Sequence, residues 1–223
     1  TVENKMIAIS SKLNIKNYLW AVGLKGSFIT EWKKGRQVYS FDLRNLGDSF
    51  LSLWESVLTV YALARSFGMA PKSILTKCSG FVPLAHRSQW VDEIKGVAFI
   101  NDSKATNVDA TIHALKTFKN VHLILGGRAK EDNFSQLKDS MKNISRIYLI
   151  GEAAALVASN FEGQEIEQFD TLNDAFDSAI SIATQGDTIL FSPACASFDQ
   201  YLNFEERGKH FISLVQEYRK NII

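Results

Sequence analysis

The sequence after about residue 84 alternates short apolar runs with longer amphipathic segments. The apolar runs have the composition of parallel strands covered on both faces, and they predict strands at residues 97–101, 121–126, 146–150 and 188–192. The segments between them repeat apolar residues at helical spacing, and they predict helices at 108–118, 133–144, 153–160, 171–185 and 203–220. Thr171 is expected to cap the fourth of these helices and Gly186 to end it. The alternation predicts a doubly wound, mostly parallel, Rossmann-like α/β sheet.

The first 82 residues follow a different pattern. Short strands are predicted at 18–22, 27–29 and 37–41, with a turn at 31–36. A long helix follows, with apolar residues from Phe50 to Ala62, a capping residue at Asp48 or Ser49, and an end at Gly68. A short helix is predicted at 73–78 after Pro71. We interpret residues 1–82 as the rear part of a mixed α/β domain and residues 83–223 as a second domain.

Composition limits the class of protein. The chain has 223 residues, 46% of them hydrophobic, and a formal net charge of +1, so bulk charge favours neither nucleic acid nor an anionic membrane. No apolar stretch approaches the roughly 20 residues needed to span a bilayer. Two lone cysteines, Cys78 and Cys195, suit a reducing compartment and predict small buried side chains. A cytoplasmic protein is expected. The start has neither an initiator Met nor a signal-peptide layout, which predicts a piece of a longer chain.

Polar or glycine-rich motifs follow each of the four predicted strands, at residues 101–107, 126–130, 151–152 and 192–197. In an open parallel sheet the carboxyl ends of the strands lie at one edge, where ligands bind. Positive charge there would come from Lys104, Arg128 and Lys130, and hydroxyl donors from Thr106, Ser192 and Ser197. The sequence therefore predicts one pocket for a small dianion.

Each motif has a structural explanation as well. Gly126-Gly127 is a common strand-to-helix turn, Lys130 alone is a solvated lysine, and Ser197 alone caps a turn. Asp102 and Lys104 together form a possible structural ion pair, and His86-Arg87 a possible exposed charged pair at a domain junction. The sequence has no His/Cys cluster for zinc and no histidine arranged for a serine triad, which argues against both kinds of site.

Three long motifs, at residues 99–107, 125–130 and 192–200, closely resemble the Mur ligases of peptidoglycan synthesis, and among them the members that add D-glutamate. Leu84-Ala85-His86-Arg87 resembles the family's domain junction, and residues 203–208 resemble its closing helix. The resemblance runs from about residue 81 to 218 with the motifs in the family's order. Several long motifs in order are far more specific than one short pattern.

The resemblance implies a three-domain, ATP-dependent ligase of which this chain holds the rear of the central domain and the C-terminal domain. Such an enzyme adds D-glutamate to UDP-N-acetylmuramoyl-L-alanine through an acyl phosphate, as a cytoplasmic monomer using ATP and Mg²⁺. The sequence contains no Gly-x-x-Gly-x-x-Gly-Lys-type phosphate loop. We therefore expect the metal to be held mainly by the missing part, and this chain to be inactive alone.

The resemblance also implies roles for particular residues. Lys104 and Arg87 are the catalytic candidates, with Arg87 at the nucleotide phosphates and Lys104 in the same anionic region. Asp102 is expected at the nucleotide ribose, and no residue of this chain as a metal ligand. The D-glutamate site is expected to comprise Thr106, Lys130, Ser197, Phe198 and Phe204.

One departure from the family pattern concerns the adenine contact. The family usually carries a His-Asn pair where this chain has Ser52-Leu53, so the source of that contact stays open. Two alternatives to a D-glutamate ligase also stay open. One is a sister Mur ligase that adds another amino acid, and the other is a non-catalytic, ligand-binding Mur-like module.

Overall fold

A computed structural model describes residues 7–10, 18–47, 50, 53–82, 84–131, 133–161 and 163–222. The contacts between residues divide the chain into two compact units, 1–83 and 84–223. Each unit has its own sheet and its own hydrophobic core. The helix caps predicted at Asp48 and Ser49, and Ser52 of the altered pair, lie outside the described residues.

The first unit contains a four-stranded sheet and two helices. The strands are β1 (Ala8–Ser10), β2 (Trp20–Lys25), β3 (Phe28–Lys33) and β4 (Arg36–Asp42), in that spatial order. A 3-10 segment (Leu43–Leu46), α1 (Trp54–Ser66) and α2 (Pro71–Cys78) follow. The apolar face of α1 packs Leu58 and Tyr61 against Val22 and Ile29 of the sheet. Gly68 follows α1 with a φ of 86°, the left-handed conformation that ends helices, as predicted.

The turn predicted at residues 31–36 is wrong for its first half, because β3 continues through Glu31 to Lys33. Glu31 reads as a turn residue but is fully buried. Its carboxylate accepts hydrogen bonds from Tyr61 Oη at 2.7 Å, Trp20 Nε1 at 2.8 Å and Arg65 Nε at 2.9 Å. These three donors satisfy the buried charge, and they lie 11, 30 and 34 residues away along the chain, so local sequence does not reveal the contacts.

The second unit is a six-stranded, mostly parallel sheet, so the predicted fold class is confirmed. Its strands are β5 (Gln89–Ile94), β6 (Val97–Asn101), β7 (Val121–Gly126), β8 (Ile144–Ile150), β9 (Ile166–Phe169) and β10 (Thr188–Phe191). The spatial order is β5-β6-β10-β7-β8-β9. Only the edge strand β5 is antiparallel to its neighbour, so the remaining five strands point the same way.

Helical segments cover both faces of this sheet. They are α3 (Val108–Leu115), a 3-10 segment (Phe134–Asn143), α4 (Ala154–Ala158), α5 (Leu172–Ile182) and α6 (Phe204–Ile222). One core joins α3, the 3-10 segment and α4 to Leu123 and Leu125. The other joins α5 and α6 to Ile124. Neighbouring residues of β7 thus face opposite cores, as alternation along a strand requires.

Several boundaries differ from the predicted ones. The strands β1, β5 and β9 were not predicted. The strand β1 has only three residues, and the edge strands β5 and β9 are partly solvated and carry charged residues that hide their pattern. Thr171 caps α5 as predicted, with its hydroxyl accepting from Asp174 N. The predicted end at Gly186 is wrong, since α5 stops at Ile182. The Asp187 carboxylate accepts from Thr184 N at 2.7 Å and holds the following residues in a turn instead.

Replacing Gly208 by Ala is expected to destabilise the second unit. Alanine in place of a helical glycine normally stabilises by about 1 kcal/mol. Here a Cβ on Gly208 would overlap the His86 ring. We expect the free energy of unfolding to fall by about 1–2 kcal/mol, measured by amide hydrogen exchange of β6 and α6 as urea is increased.

Gly80→Ala in the first unit is a control for the added methyl group, because a Cβ there would meet only the Lys77 carbonyl oxygen at 3.8 Å. It should change stability by less than about 0.5 kcal/mol. A Gly208→Ala protein more stable than the wild type would contradict the close packing of His86 on α6.

Candidate functional site

The sheet topology brings the predicted motifs to one edge. The strands β6, β10, β7 and β8 are neighbours and run parallel, so their carboxyl ends lie side by side. The four turns that follow them therefore share that edge, as predicted from the sequence. Thr106 lies in the turn after β6, Lys130 in the turn after β7, and Ser197 in the turn after β10.

Asp102 is the most enclosed acid at this edge, only 5% exposed. Its carboxylate accepts from Ser88 N at 2.9 Å and from Ser192 Oγ at 2.8 Å. The possible Asp102–Lys104 ion pair is absent from the described residues, since neutral donors occupy the carboxylate. The Ser192 hydroxyl is fully buried and already donates its proton to Asp102, so the prediction that it donates to a ligand is wrong.

Burial raises the pKa of Asp102 to about 6, and the hydrogen bonds from Ser192 and Ser88 offset part of the rise. The Arg87 guanidinium also favours the charged form through its electrostatic field. At neutral pH the group is therefore ionised, while a small change in its surroundings alters its charge. Arg87 itself is exposed.

Lys104 and Phe204, which are far apart in sequence, meet at this edge. The Lys104 ammonium lies 5.5 Å from the centre of the Phe204 ring, within cation–π range. The adjacent Ser103 hydroxyl donates to the main-chain oxygen of Phe204 at 2.8 Å. The structure therefore places a predicted anion-binding lysine beside a predicted aromatic wall.

The turn after β7 depends on two glycines. Gly126 and Gly127 have φ values of 132° and 127°, and a Cβ on Gly127 would overlap the carbonyl oxygen of Ala196. That close approach lets Arg128 and Ala196 exchange main-chain hydrogen bonds of 2.9 Å, which ties this turn to the turn after β10.

The two cations of this turn differ in their surroundings. The Arg128 guanidinium pairs with Glu152 at 2.9 Å, so its charge is already compensated. Lys130 is exposed and has no ion pair with any residue that the structure describes. Of the two, Lys130 is the cation left open to a ligand.

The turn after β10 carries the remaining predicted residues. Ser197 is buried, and its main-chain oxygen accepts from Gln200 N at 3.1 Å and Tyr201 N at 2.8 Å. Ser197 thus does help to close a turn, although through its carbonyl group. Phe198 is 62% exposed, which is unusual for an aromatic ring. Cys195, two residues before Ser197, is fully buried, as predicted, whereas Cys78 of α2 is only partly buried, so the prediction is wrong for Cys78.

His86 is not the exposed residue that its charged neighbour suggested. It is 7% exposed, and its Nδ1 lies 2.9 Å from Asn101 Nδ2. Its ring also packs edge-on against Phe204 at 6.4 Å. Burial lowers the pKa of His86, which favours the neutral form that accepts from the Asn101 amide.

Arg207 is the residue at this edge that sequence reasoning missed. It lies on α6 and is 1% exposed. The available signal was its position four residues before Phe211, on the apolar face of a predicted helix. An arginine on the apolar face of a helix must be buried together with hydrogen-bond acceptors. Only the structure identifies those acceptors.

The described ranges contain no group of three or more His, Cys, Asp or Glu side chains able to hold a metal ion. Within the same ranges, no helix has both the length and the apolar character needed to cross a membrane.

Comparison with known proteins identifies the family of this chain. Residues 86–195 match the family described as Mur ligase, glutamate ligase domain. The chain is also 37% identical over 215 residues to the UDP-N-acetylmuramoylalanine–D-glutamate ligase of Cereibacter sphaeroides, and 42% identical over 200 residues to that of Dinoroseobacter shibae. The chain belongs to the Mur ligase family. The first match covers 96% of this chain and 46% of the relative, and the second covers 89% and 43%. The chain thus spans less than half the length of these Mur ligases.

Solved structures share the Mur ligase fold at low identity. The UDP-N-acetylmuramate-alanine ligase of Thermotoga maritima superposes with a TM-score of 0.62 at 14% identity, covering 90% of this chain and 46% of that one. The bifunctional folylpolyglutamate synthase/dihydrofolate synthase of Yersinia pestis gives a TM-score of 0.58 at 17% identity, with 92% and 46% covered. At such identities the likeness concerns the fold alone.

Asp102→Asn is expected to change how stability depends on pH. The folded pKa of Asp102 is about 6, above its ordinary 3.8, so the folded state holds the proton more tightly. Wild-type stability should therefore fall, relative to the Asn variant, as pH rises from about 4 to about 6, by at most about 2–3 kcal/mol. Urea unfolding of both proteins across this window measures the difference. If the difference in unfolding free energy between the two proteins did not change with pH, the raised pKa of the buried Asp102 carboxyl would be contradicted.

Proposed function

We propose that the complete protein is an ATP-dependent ligase that adds D-glutamate to UDP-N-acetylmuramoyl-L-alanine in peptidoglycan synthesis. The names of the relatives support this reading, and so do the three long motifs at the carboxyl edge of the sheet. Because the chain spans 46% of the first of these relatives, the activity is proposed for the complete protein. Residues 1–82 are proposed as the rear of the central domain and residues 83–223 as the C-terminal, amino-acid-binding domain.

The observation that carries the proposal is the shared edge of the parallel strands. Lys130, which has no ion pair among the described residues, lies in a turn on that edge. Thr106 and Ser197 with their hydroxyls, and Lys104 with its contact to Phe204, lie in turns on the same edge. D-Glutamate brings two carboxylates on a short aliphatic stem. Ammonium and hydroxyl donors suit the carboxylates, and the rings of Phe198 and Phe204 suit the stem.

The chemistry of this reaction needs positioning and charge stabilisation more than covalent catalysis. ATP supplies the phosphoryl group that activates the muramoyl-L-alanine carboxylate. The amine of D-glutamate then attacks the acyl carbon, forms the amide and releases phosphate. Lys130, Thr106 and Ser197 would hold the carboxylates so that the amine faces the acyl group. Lys104 would offset negative charge near the reacting phosphate.

The nucleotide side of the site is proposed from Asp102 and Arg87. An Asp102 carboxylate ionised at neutral pH can accept hydrogen bonds from ribose hydroxyls. The exposed Arg87 suits phosphate oxygens. Magnesium is proposed to be held mainly by the part of the protein that this chain does not include. The complete enzyme is proposed to be a cytoplasmic monomer that acts on small molecules and binds neither nucleic acid nor membrane.

An assay of phosphate release and product mass by the complete protein tests the function directly. The reaction contains ATP, Mg²⁺, UDP-N-acetylmuramoyl-L-alanine and one amino acid at a time. D-Glutamate should support turnover, while L-glutamate, L-alanine and a diamino acid should not. Turnover with a different amino acid would identify a sister Mur ligase. The absence of turnover with all of them would favour a non-catalytic module.

Lys130→Ala in the complete enzyme should raise the KM for D-glutamate much more than the KM for ATP. Loss of one charge-assisted contact costs about 1.5–3 kcal/mol, which is a rise of about 10- to 150-fold in KM. Steady-state kinetics with each substrate varied in turn measures both constants.

Lys142→Ala is the matched control, since it removes the same charge from the same β7–β8 connection. Lys142 is exposed and lies at the end of the 3-10 segment that leads into the amino end of β8, at the opposite edge of the sheet. Its two KM values should stay within about twofold of the wild type. Equal rises in both KM values for Lys130→Ala would contradict the assignment of Lys130 to the amino acid.

A further inference from the structure

We propose that Arg207 is a positioning residue for the amino-acid site. Its buried guanidinium would hold in register the three turns that carry Lys104, Lys130 and Ser197. The inference rests on the proposed ligase function for the meaning of the site, while the contacts themselves are independent of it.

The surroundings of Arg207 are unusual for an arginine. The side chain is 1% exposed, and no carboxylate lies within ion-pair distance of it among the residues that the structure describes. Burial lowers the pKa of Arg207 to about 10, which still leaves the group charged at neutral pH. A buried charge without a counter-ion is costly unless several dipoles solvate it. The groups that solvate it are one hydroxyl and two main-chain oxygens of the site.

The hydrogen bonds of Arg207 join two separate turns. Its Nε donates to Ser103 Oγ at 3.1 Å, and its Nη2 donates to the main-chain oxygens of Ser103 at 2.9 Å and Cys195 at 3.0 Å. Ser103 directly precedes Lys104, and Cys195 lies two residues before Ser197. One guanidinium therefore fixes the main chain beside a proposed anion-binding lysine and beside a proposed carboxylate-binding hydroxyl.

The third turn is in contact with the same guanidinium. A Cβ built on Gly127 would lie 3.1 Å from Arg207 Nη1, so the glycine packs directly on this nitrogen. Nη1 is the single buried side-chain nitrogen or oxygen without a hydrogen-bond partner in the described part of the chain. Gly127 lies three residues before Lys130. The guanidinium plane thus also limits how closely the turn after β7 approaches the other two.

Arginine is needed for this arrangement because its donors are fixed in a plane. A lysine ammonium is a single point, so it does not span a hydroxyl and two carbonyl groups from two turns at once. The Ser103 hydroxyl links Arg207 to Phe204, because it accepts a hydrogen bond from Arg207 and donates one to the main-chain oxygen of Phe204. A displacement of about 1 Å in a substrate-binding group can lower the rate of a reaction substantially. We therefore expect even a slight loosening of these turns to lower kcat/KM for D-glutamate.

The test is Arg207→Lys in the complete enzyme, with Arg219→Lys as the matched control. Arg219 lies near the end of the same helix, α6, and pairs with Asp92 of the edge strand β5. We expect Arg207→Lys to lower kcat/KM for D-glutamate by about 10- to 100-fold, with a change of less than about threefold in the KM for ATP. Arg219→Lys should leave both within about twofold of the wild type.

A second readout does not depend on activity. The amides of Ala105 and Tyr201 donate to Asp102 O and Ser197 O, both at 2.8 Å, inside the two turns that Arg207 joins. Their hydrogen exchange should be about tenfold faster or more in Arg207→Lys, and unchanged in Arg219→Lys. If the wild-type enzyme does not use D-glutamate, the proposed function fails, and the exchange rates alone decide the role of Arg207.

Ser103→Ala keeps the proposal testable if Arg207→Lys does not fold. It removes one acceptor of Arg207 and the link to Phe204, so it should reproduce the kinetic and exchange changes at smaller size. If both variants fold, the double variant should show less than the sum of their effects. The proposal is overturned if D-glutamate kinetics and both amide rates stay at wild-type values, or if the KM values for ATP and D-glutamate rise equally.

Discussion

The parallel pairing of β10 between β6 and β7 is the constraint on which the candidate site depends. Phe191 of β10 lies in register with Asn101 on one side and Ile124 on the other. A strand from late in the sequence is thereby inserted between two earlier ones. Its turn, residues 192–203, emerges between the turn with Lys104 and the turn with Lys130. Without this crossover the proposed carboxylate-binding groups would not share one edge.

Neutral groups hold the two most deeply buried charges at this edge. Asp102 is bound by a main-chain N–H and a hydroxyl, and Arg207 by a hydroxyl and main-chain carbonyl groups. Because Asp102 forms no ion pair with Lys104 or Lys130 among the described residues, those two ammonium groups remain available at the surface. The buried Asp102 and Arg207 thus fix the main chain of the turns. The exposed Lys104 and Lys130 face the solvent from which an anionic substrate arrives.

The sequence predicted the parallel strands and their common edge because buried strands and strand-end motifs are local patterns. It missed β5 and β9, whose partial exposure obscures the apolar pattern, and it misjudged Glu31 and His86. Both residues look solvated in sequence, and both are buried by partners distant along the chain, Tyr61 and Arg65 for one and Asn101 for the other. The role of Arg207 was hidden for the same reason, since main-chain acceptors carry no sequence signature.

The most direct test of the account is a crystal structure of the complete protein with D-glutamate and a non-hydrolysable ATP analogue. The account predicts that both carboxylates of D-glutamate lie at the carboxyl edge of the second sheet. One carboxylate or both should lie within hydrogen-bond distance of Lys130 Nζ, with the hydroxyls of Thr106 and Ser197 as further donors. Binding at the amino edge, or a Lys130 that points away from a ligand held elsewhere, would contradict it.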